Sequence, residues 1–245
     1  MASHIIPTHT NISELDCSAA FGGLAQKEAL YAYYFAKASW NGAKICFFER
    51  SYESPALLYL VLKAFESGAK ETVEGIKGKI DQVAIDQILI YLAAFFDNTG
   101  NYKSFGDTKF VPECSEENFK KFFLLTPYWS AHEEEFNRIY DRIVKFLFNH
   151  ETPYGLIDWA EKKGTTGYYS PNVTLADAEK VKAITIKKGL KSENNRLTKQ
   201  GENSFTLRVA SVEAKREICE EDGIKITIEY GEFGSFLKRV SDNLA

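Results

Sequence analysis

Ile80 to Phe96 reads IDQVAIDQILIYLAAFF. Toward its end this helix is apolar on nearly every side, which marks an element at the centre of a packed body and not on its surface. Its most apolar run, Ile88 to Phe96, is about half the length needed to cross a bilayer. The helix is therefore expected to be covered by other helices, and the neighbouring sequence supplies them.

Upstream, Gln26 to Arg50 forms a long helix in which Tyr31, Tyr34, Phe35 and Ala38 recur at helical spacing, with Gly42 as a point of weakness or close packing. Ser54 followed by Pro55 opens a further helix carrying Leu57, Leu58, Val61, Leu62 and Phe65. The charged stretch from Ser67 to Lys79 reads as turns. Downstream, Ser115 with Asn118 opens a short helix to Leu125, and Glu133 to Asn149 carries Phe136, Ile139, Tyr140, Ile143 and Leu147 on one stripe.

The last third changes period. Gly164 to Ser170 reads as a strand, as does Asn203 to Ser211, where Phe205, Leu207 and Val209 alternate with Thr206 and Arg208. Ile224, Ile226 and Ile228 alternate in the same way up to Tyr230. Between the first two strands, Thr174 caps a helix through Lys188, with Asp177 in capping-box position, and a final helix is expected from about Glu232 to Leu244. The fold class is α+β: a helical body over about 1–163, with a small, mostly antiparallel sheet or partial barrel over about 164–245. No low-complexity linker separates the two parts, so residues 1–245 are expected to form one structural unit.

Composition narrows the function. The chain has 34 Asp and Glu against 30 Lys and Arg, a mildly acidic balance that argues against nucleic acid, whose binders present a clustered basic face. Lys187, Lys188 and Lys191 read as a solvated helix end. No basic segment leads into an apolar stretch at the N-terminus, so no secretory signal is expected, and no membrane partner. Four scattered cysteines, Cys17, Cys46, Cys114 and Cys219, suit a reducing, cytoplasmic setting. Aromatic residues make up 14% of the chain. Most should fill the core, while some can line a site for an organic molecule.

Three groups of residues stand out. The first is NYKSFGDTKFVP, Asn101 to Pro112, a loop punctuated by Gly100 and Gly106 that places Asp107 between Lys103 and Lys109, with Asn101, Tyr102 and Phe105 close by. Such a loop can stitch two helices together through bonds to backbone. It can also carry proton transfer, with Asp107 as the base, Lys103 or Lys109 as tuning or polarising partners, and Tyr102 in support. The second group is Tyr33, Tyr34 and Trp40, together with Tyr31, of which no more than two or three can share one face of a helix. The third is Tyr168 and Tyr169 with Asn172, at the edge of the expected sheet. Asn172 to Thr174 is formally a glycosylation sequon, silent inside a cell. No GxGxxG, phosphate loop or GxSxG is present, so no cofactor is expected.

The NYKSFGDTKFVP stretch resembles dipeptidyl peptidase III, a zinc-dependent family that trims dipeptides from peptide N-termini. The likeness continues in LDCSAAF at Leu15 to Phe21, LYAYYFAKASWNGAK at Leu30 to Lys44 and YESPALLYLVLKAF at Tyr52 to Phe65. It extends through GTTGYYSPNVTLADAEKV at Gly164 to Val181, NNRLTKQGENSFTLRVASV at Asn194 to Val212 and EYGEFGSFLKRV at Glu229 to Val240. The order is that of the family's N-terminal lobe, and the resemblance covers nearly the whole chain. It implies a helical lobe joined to a small sheet. The family's zinc motif HExxGH is not among these residues. His132 is followed by Glu133, Glu134 and Glu135, but Phe136 and Asn137 stand where HExxH and HExxGH require the second His. No metal site is expected, and His132 reads as the polar start of an exposed helix.

A lobe that faced a partner across a cleft would expose apolar area unless something covers it. One expectation is a remodelled cleft that binds a small organic molecule and rearranges it without metal, as an isomerase or cyclase does. Others are a non-catalytic binding partner or regulator, a homodimer, or a fragment of the peptidase.

Overall fold

The computed structural model describes residues 4–13, 15–190 and 195–231. The helices in chain order are α1 (Ser18–Gly22), α2 (Gln26–Arg50), α3 (Ser54–Ala64), α4 (Ala69–Ile76), α5 (Gln82–Asp97), α6 (Glu116–Leu124), α7 (Pro127–Ala131), α8 (Glu133–Leu147) and α9 (Leu175–Thr185). The strands are β1 (Asn195–Gly201), β2 (Ser204–Ala210), β3 (Lys215–Glu221) and β4 (Ile224–Gly231). The expected α+β class holds. The expected final helix over Glu232 to Leu244 and Lys191 of the basic run lie outside the described residues.

The chain divides into two compact units. The first comprises Met1–Asn11, Cys46–Asp158 and Lys163–Thr165, and the second Ile12–Ile45, Trp159–Lys162 and Thr166–Ala245.

In the first unit, α5 is the central element that its composition predicts: Ile85, Ile88 and Phe95 are wholly buried among residues of α3, α6, α7 and α8. Phenylalanines fill the space around it. Phe119 and Phe123 of α6 stack on Tyr140 and Phe136 of α8, and Phe122 packs edge-on against Phe123. Trp129 of α7 is buried, and its indole N–H donates to the Leu60 carbonyl of α3 at 2.8 Å. The Ser115 hydroxyl caps α6 as expected, accepting from the Asn118 amide at 3.1 Å. His132, exposed, precedes the first turn of α8.

Two local expectations fail here. The Ser67 to Lys79 stretch contains α4, made possible because Gly68 takes φ +106° and Thr72 and Ile76, one helical turn apart, turn into the core. The Thr72 hydroxyl donates back to the Gly68 carbonyl at 2.7 Å. Gly164 to Ser170 makes only isolated bridges, Ile157 with Thr165 and Tyr169 with Leu197, and is no strand.

The second unit contains a four-stranded open sheet in the order β1-β2-β4-β3. β1 and β2 are antiparallel, as are β3 and β4, while β2 and β4 run parallel, so the sheet is mixed. The β3–β4 turn places Asp222 (φ 51°) and Gly223 (φ 74°) in the left-handed region, the requirement of a tight hairpin. Phe205, Leu207, Ile224, Ile226 and Ile228 present one face of the sheet to a cluster with Val181 and Ile184 of α9. The capping box expected at Thr174 and Asp177 is present in full. Among the described residues no helix is long and apolar enough to cross a membrane.

Candidate functional site

The Asn101 to Pro112 stretch is a short hairpin in the first unit, and its two ends behave oppositely. It begins where α5 stops. Thr99 (φ 51°) and Gly100 (φ 143°) reverse the chain, and the Gly100 amide donates to the Phe95 carbonyl at 2.9 Å. A side chain at Gly100 has no room, because a Cβ would lie 2.4 Å from Cγ of Arg50 and 3.1 Å from Oγ of Ser54. Tyr102 and Lys109 then form an antiparallel bridge, and the Lys103 amide donates to the Thr108 carbonyl at 3.0 Å. The amide of Lys109 reaches the Gly155 carbonyl at 3.0 Å, and the Asp107 carbonyl accepts from the Ile157 amide at 2.9 Å. His4 joins at the base: its Nδ1 bonds the Lys109 carbonyl at 2.7 Å, and its own carbonyl accepts from the Val111 amide at 2.9 Å.

At the base, charge is enclosed. Lys109, Asn101, Ser54 and Glu53 are all buried. The Lys109 ammonium pairs with the Glu53 carboxylate and donates to the Phe146 carbonyl at 2.7 Å. Asn101 Nδ2 donates to the same Glu53 oxygen at 2.8 Å, while its Oδ1 accepts from Ser51 at 2.9 Å and Ser54 at 3.2 Å. Glu53 sits at the cap position of α3, where the positive helix terminus favours a carboxylate, and Phe146 lies in the last turn of α8, where the negative terminus favours a cation. The node thus joins the two oppositely charged helix ends through one ion pair.

Aromatic rings surround the ammonium. The Tyr102 ring centroid is 5.5 Å and that of Tyr154 6.0 Å from Lys109 Nζ. The Tyr102 hydroxyl donates to the Tyr154 carbonyl at 2.7 Å. Phe146 packs edge-on against both Tyr154 and the exposed Tyr52. Burial lowers the Lys109 pKa, with Glu53 opposing the shift, and burial raises that of Tyr102, reinforced by the Glu53 charge. Nearby in the core, burial pushes the Cys114 thiol up to about 12, which removes it as a nucleophile at neutral pH.

At the tip, everything is open. Ser104 to Asp107 are exposed, and Phe105 is 96% accessible. Gly106 (φ 92°) and Asp107 (φ 53°) form the turn. The expected grouping of Asp107 between two ammonium ions is not what the hairpin presents, because Lys109 turns inward to Glu53 and leaves Asp107 on the opposite end. Lys103 is half-buried. The hairpin therefore gathers Asn101, Tyr102 and Lys109 at its base and displays Phe105 and Asp107 at its tip.

The remaining candidates belong to the second unit. Tyr33 and Tyr34 of α2 are exposed, meet edge-on at 5.2 Å, and flank Lys37, whose Nζ is 5.4 Å and 5.9 Å from their ring centroids. Trp40 and Tyr31 are exposed on the same helix. Tyr168 is exposed, while Tyr169 stacks on Trp159 at 4.1 Å beside β1. Asn172 donates to the Lys199 carbonyl at 3.1 Å. Among the described residues no group of three or more His, Cys, Asp or Glu could hold a metal ion.

Sequence reasoning did not find Glu53, Ser51, Phe146 or Tyr154. Ser54-Pro55 signals a helix start, which places Glu53 at a helix terminus, but nothing local pairs it with a lysine 56 residues further on.

The family model for peptidase family M49 matches residues 139–245. Dipeptidyl peptidase 3 of Nematostella vectensis is 33% identical over 267 residues, an alignment covering 98% of this chain and 36% of that protein. The chain is similar to dipeptidyl peptidase III over nearly its whole length. Dipeptidyl peptidase 3 of Dictyostelium discoideum is 30% identical and that of Homo sapiens 28% identical, each again aligned over nearly all of this chain. The chain spans about a third of the length of these curated dipeptidyl peptidase III relatives.

Proposed function

We propose that these residues act as a peptide-facing and partner-binding lobe of a dipeptidyl peptidase III-type peptidase, and that bond cleavage needs metal-bearing sequence outside them. One observation carries this reading: nearly the whole chain aligns with about a third of the relatives' length, and neither HExxH nor HExxGH occurs in it, since His4 and His9 stand five apart but have Ile5 in place of the Glu and Thr8 in place of the Gly. The hairpin tip suits contact with an extended peptide, since Phe105 and Asp107 offer an apolar and an anionic group on an anchored turn. In the experiment, the chain is incubated with zinc and a dipeptidyl arylamide, and calorimetry follows binding of short peptides. No hydrolysis is expected, with peptide binding weakened by Phe105→Ala. Hydrolysis by the 245 residues alone would overturn the reading.

A second reading is a metal-independent isomerase or cyclase acting on a small organic molecule. The open Asp107 carboxylate favours it as a base, beside the exposed Phe105 ring on the same hairpin tip. Replacing Asp107 by Asn would then lower turnover by about a hundredfold or more while binding survives. The cytoplasm is the proposed setting, supported by free thiols at Cys17, Cys46, Cys114 and Cys219.

A further inference from the structure

We infer that Glu53 and Lys109 are positioning residues: their buried ion pair presets the hairpin so that its tip meets a ligand already ordered. The inference deepens the proposal that the hairpin is a binding element and names the groups that control it. A buried ion pair is a poor source of net stability, because desolvation of both charges offsets their attraction, and apolar or neutral replacements of similar volume often fold as well. What it does supply is direction. The Lys109 ammonium can satisfy Glu53 and the Phe146 carbonyl together only from one place, between the start of α3 and the end of α8. Asn101, on the opposite strand of the hairpin, is fixed to the same Glu53 oxygen at 2.8 Å and to Ser51 and Ser54 at 2.9 and 3.2 Å. Both strands are thus tied to one carboxylate, and a shift of either breaks a charge-assisted bond in a dry site. The exposed tip contains little packing of its own, so its order derives from the base and from the backbone bonds of Asp107 and Ser104 to Ile157 and Asn98. An ordered tip loses less entropy on binding than a floppy one.

The test compares the full chain with Lys109→Met and with the neutral pair Glu53→Gln/Lys109→Met, which keeps an acceptor for Asn101. Melting temperature reports the fold, and amide hydrogen exchange at Lys103 and Ser104 to Thr108 reports the tip. The single variant, which leaves a buried carboxylate without its cation, is expected to melt well below the parent. The double variant is expected to recover most of that loss while its tip amides still exchange about tenfold faster than the parent's. Parent-like tip exchange in the double variant would overturn the inference, as would a melting temperature as low as that of the single variant, since the pair would then serve stability. Because neither readout involves a ligand, the inference can fail while the proposed function stands. An ordered tip that binds no peptide would reverse that outcome.

Discussion

Gly100 carries a constraint that no other residue type can meet. Its φ of 143° lies in a region that L side chains rarely adopt, and a Cβ there would overlap Arg50. Gly100→Ala should destabilise the first unit by roughly 2–3 kcal/mol, read as a lower denaturation midpoint at unchanged slope. A change within about 0.5 kcal/mol would mean that the turn relaxes freely. The neighbouring hairpin shows what a single sequence can and cannot disclose. Asn101, Tyr102, Phe105, Asp107 and Lys109 stand out together because a charged, glycine-punctuated loop is conspicuous. Their division into base and tip does not stand out, because a hairpin of this length can turn either edge inward. What turns Lys109 in is Glu53, a partner supplied from another helix, and only tertiary structure makes that pairing.

Helices announced themselves more fully than strands. α8 repeats its apolar residues at helical spacing, and α5 is apolar enough to demand burial, so both were readable. β1 and β3, with the sequences NRLTKQG and KREICEE, hold few apolar residues, as strands with one wet face do, and offer no alternation like that of the isoleucines in β4. Thr174 and Asp177 at the head of α9 were legible because a capping box is local. Burial alone would raise the Asp177 pKa, but Lys199 at 2.7 Å and the Thr174 backbone and hydroxyl outweigh it and hold the carboxyl down to about 2. Since the folded value is the depressed one, the stabilisation is present above the ordinary 3.8 and disappears as pH falls through about 2. Asp177→Asn should therefore melt lower than the parent at neutral pH, by an amount matching about 1 kcal/mol, and the gap should close in strong acid. A gap independent of pH would show that shape, not charge, makes the cap.

Across the whole molecule, exposed aromatic side chains gather in the part of α2 that belongs to the second unit. Tyr31 is 70% and Trp40 68% exposed, with Tyr33, Tyr34 and Phe35 also open, and apolar side chains grouped on one surface favour association. We expect the isolated chain to self-associate through this helix, and Tyr34→Glu with Trp40→Glu to shift it toward monomer in light scattering after size exclusion, with melting temperature preserved. A parent that is monomeric at all concentrations would refute this. The sheet holds a different consequence, one of timing. β1–β2 and β3–β4 are hairpins whose partners adjoin in sequence, whereas the parallel seam of β2 with β4 joins residues on either side of β3. Local hairpins close within microseconds, and pairings that enclose a longer loop come later. As the chain folds, the first hairpin therefore forms and waits with the Ser204 to Ala210 edge bare. A chain cut short before Ile224 would hold out a half-sheet, open to any strand that reaches it first.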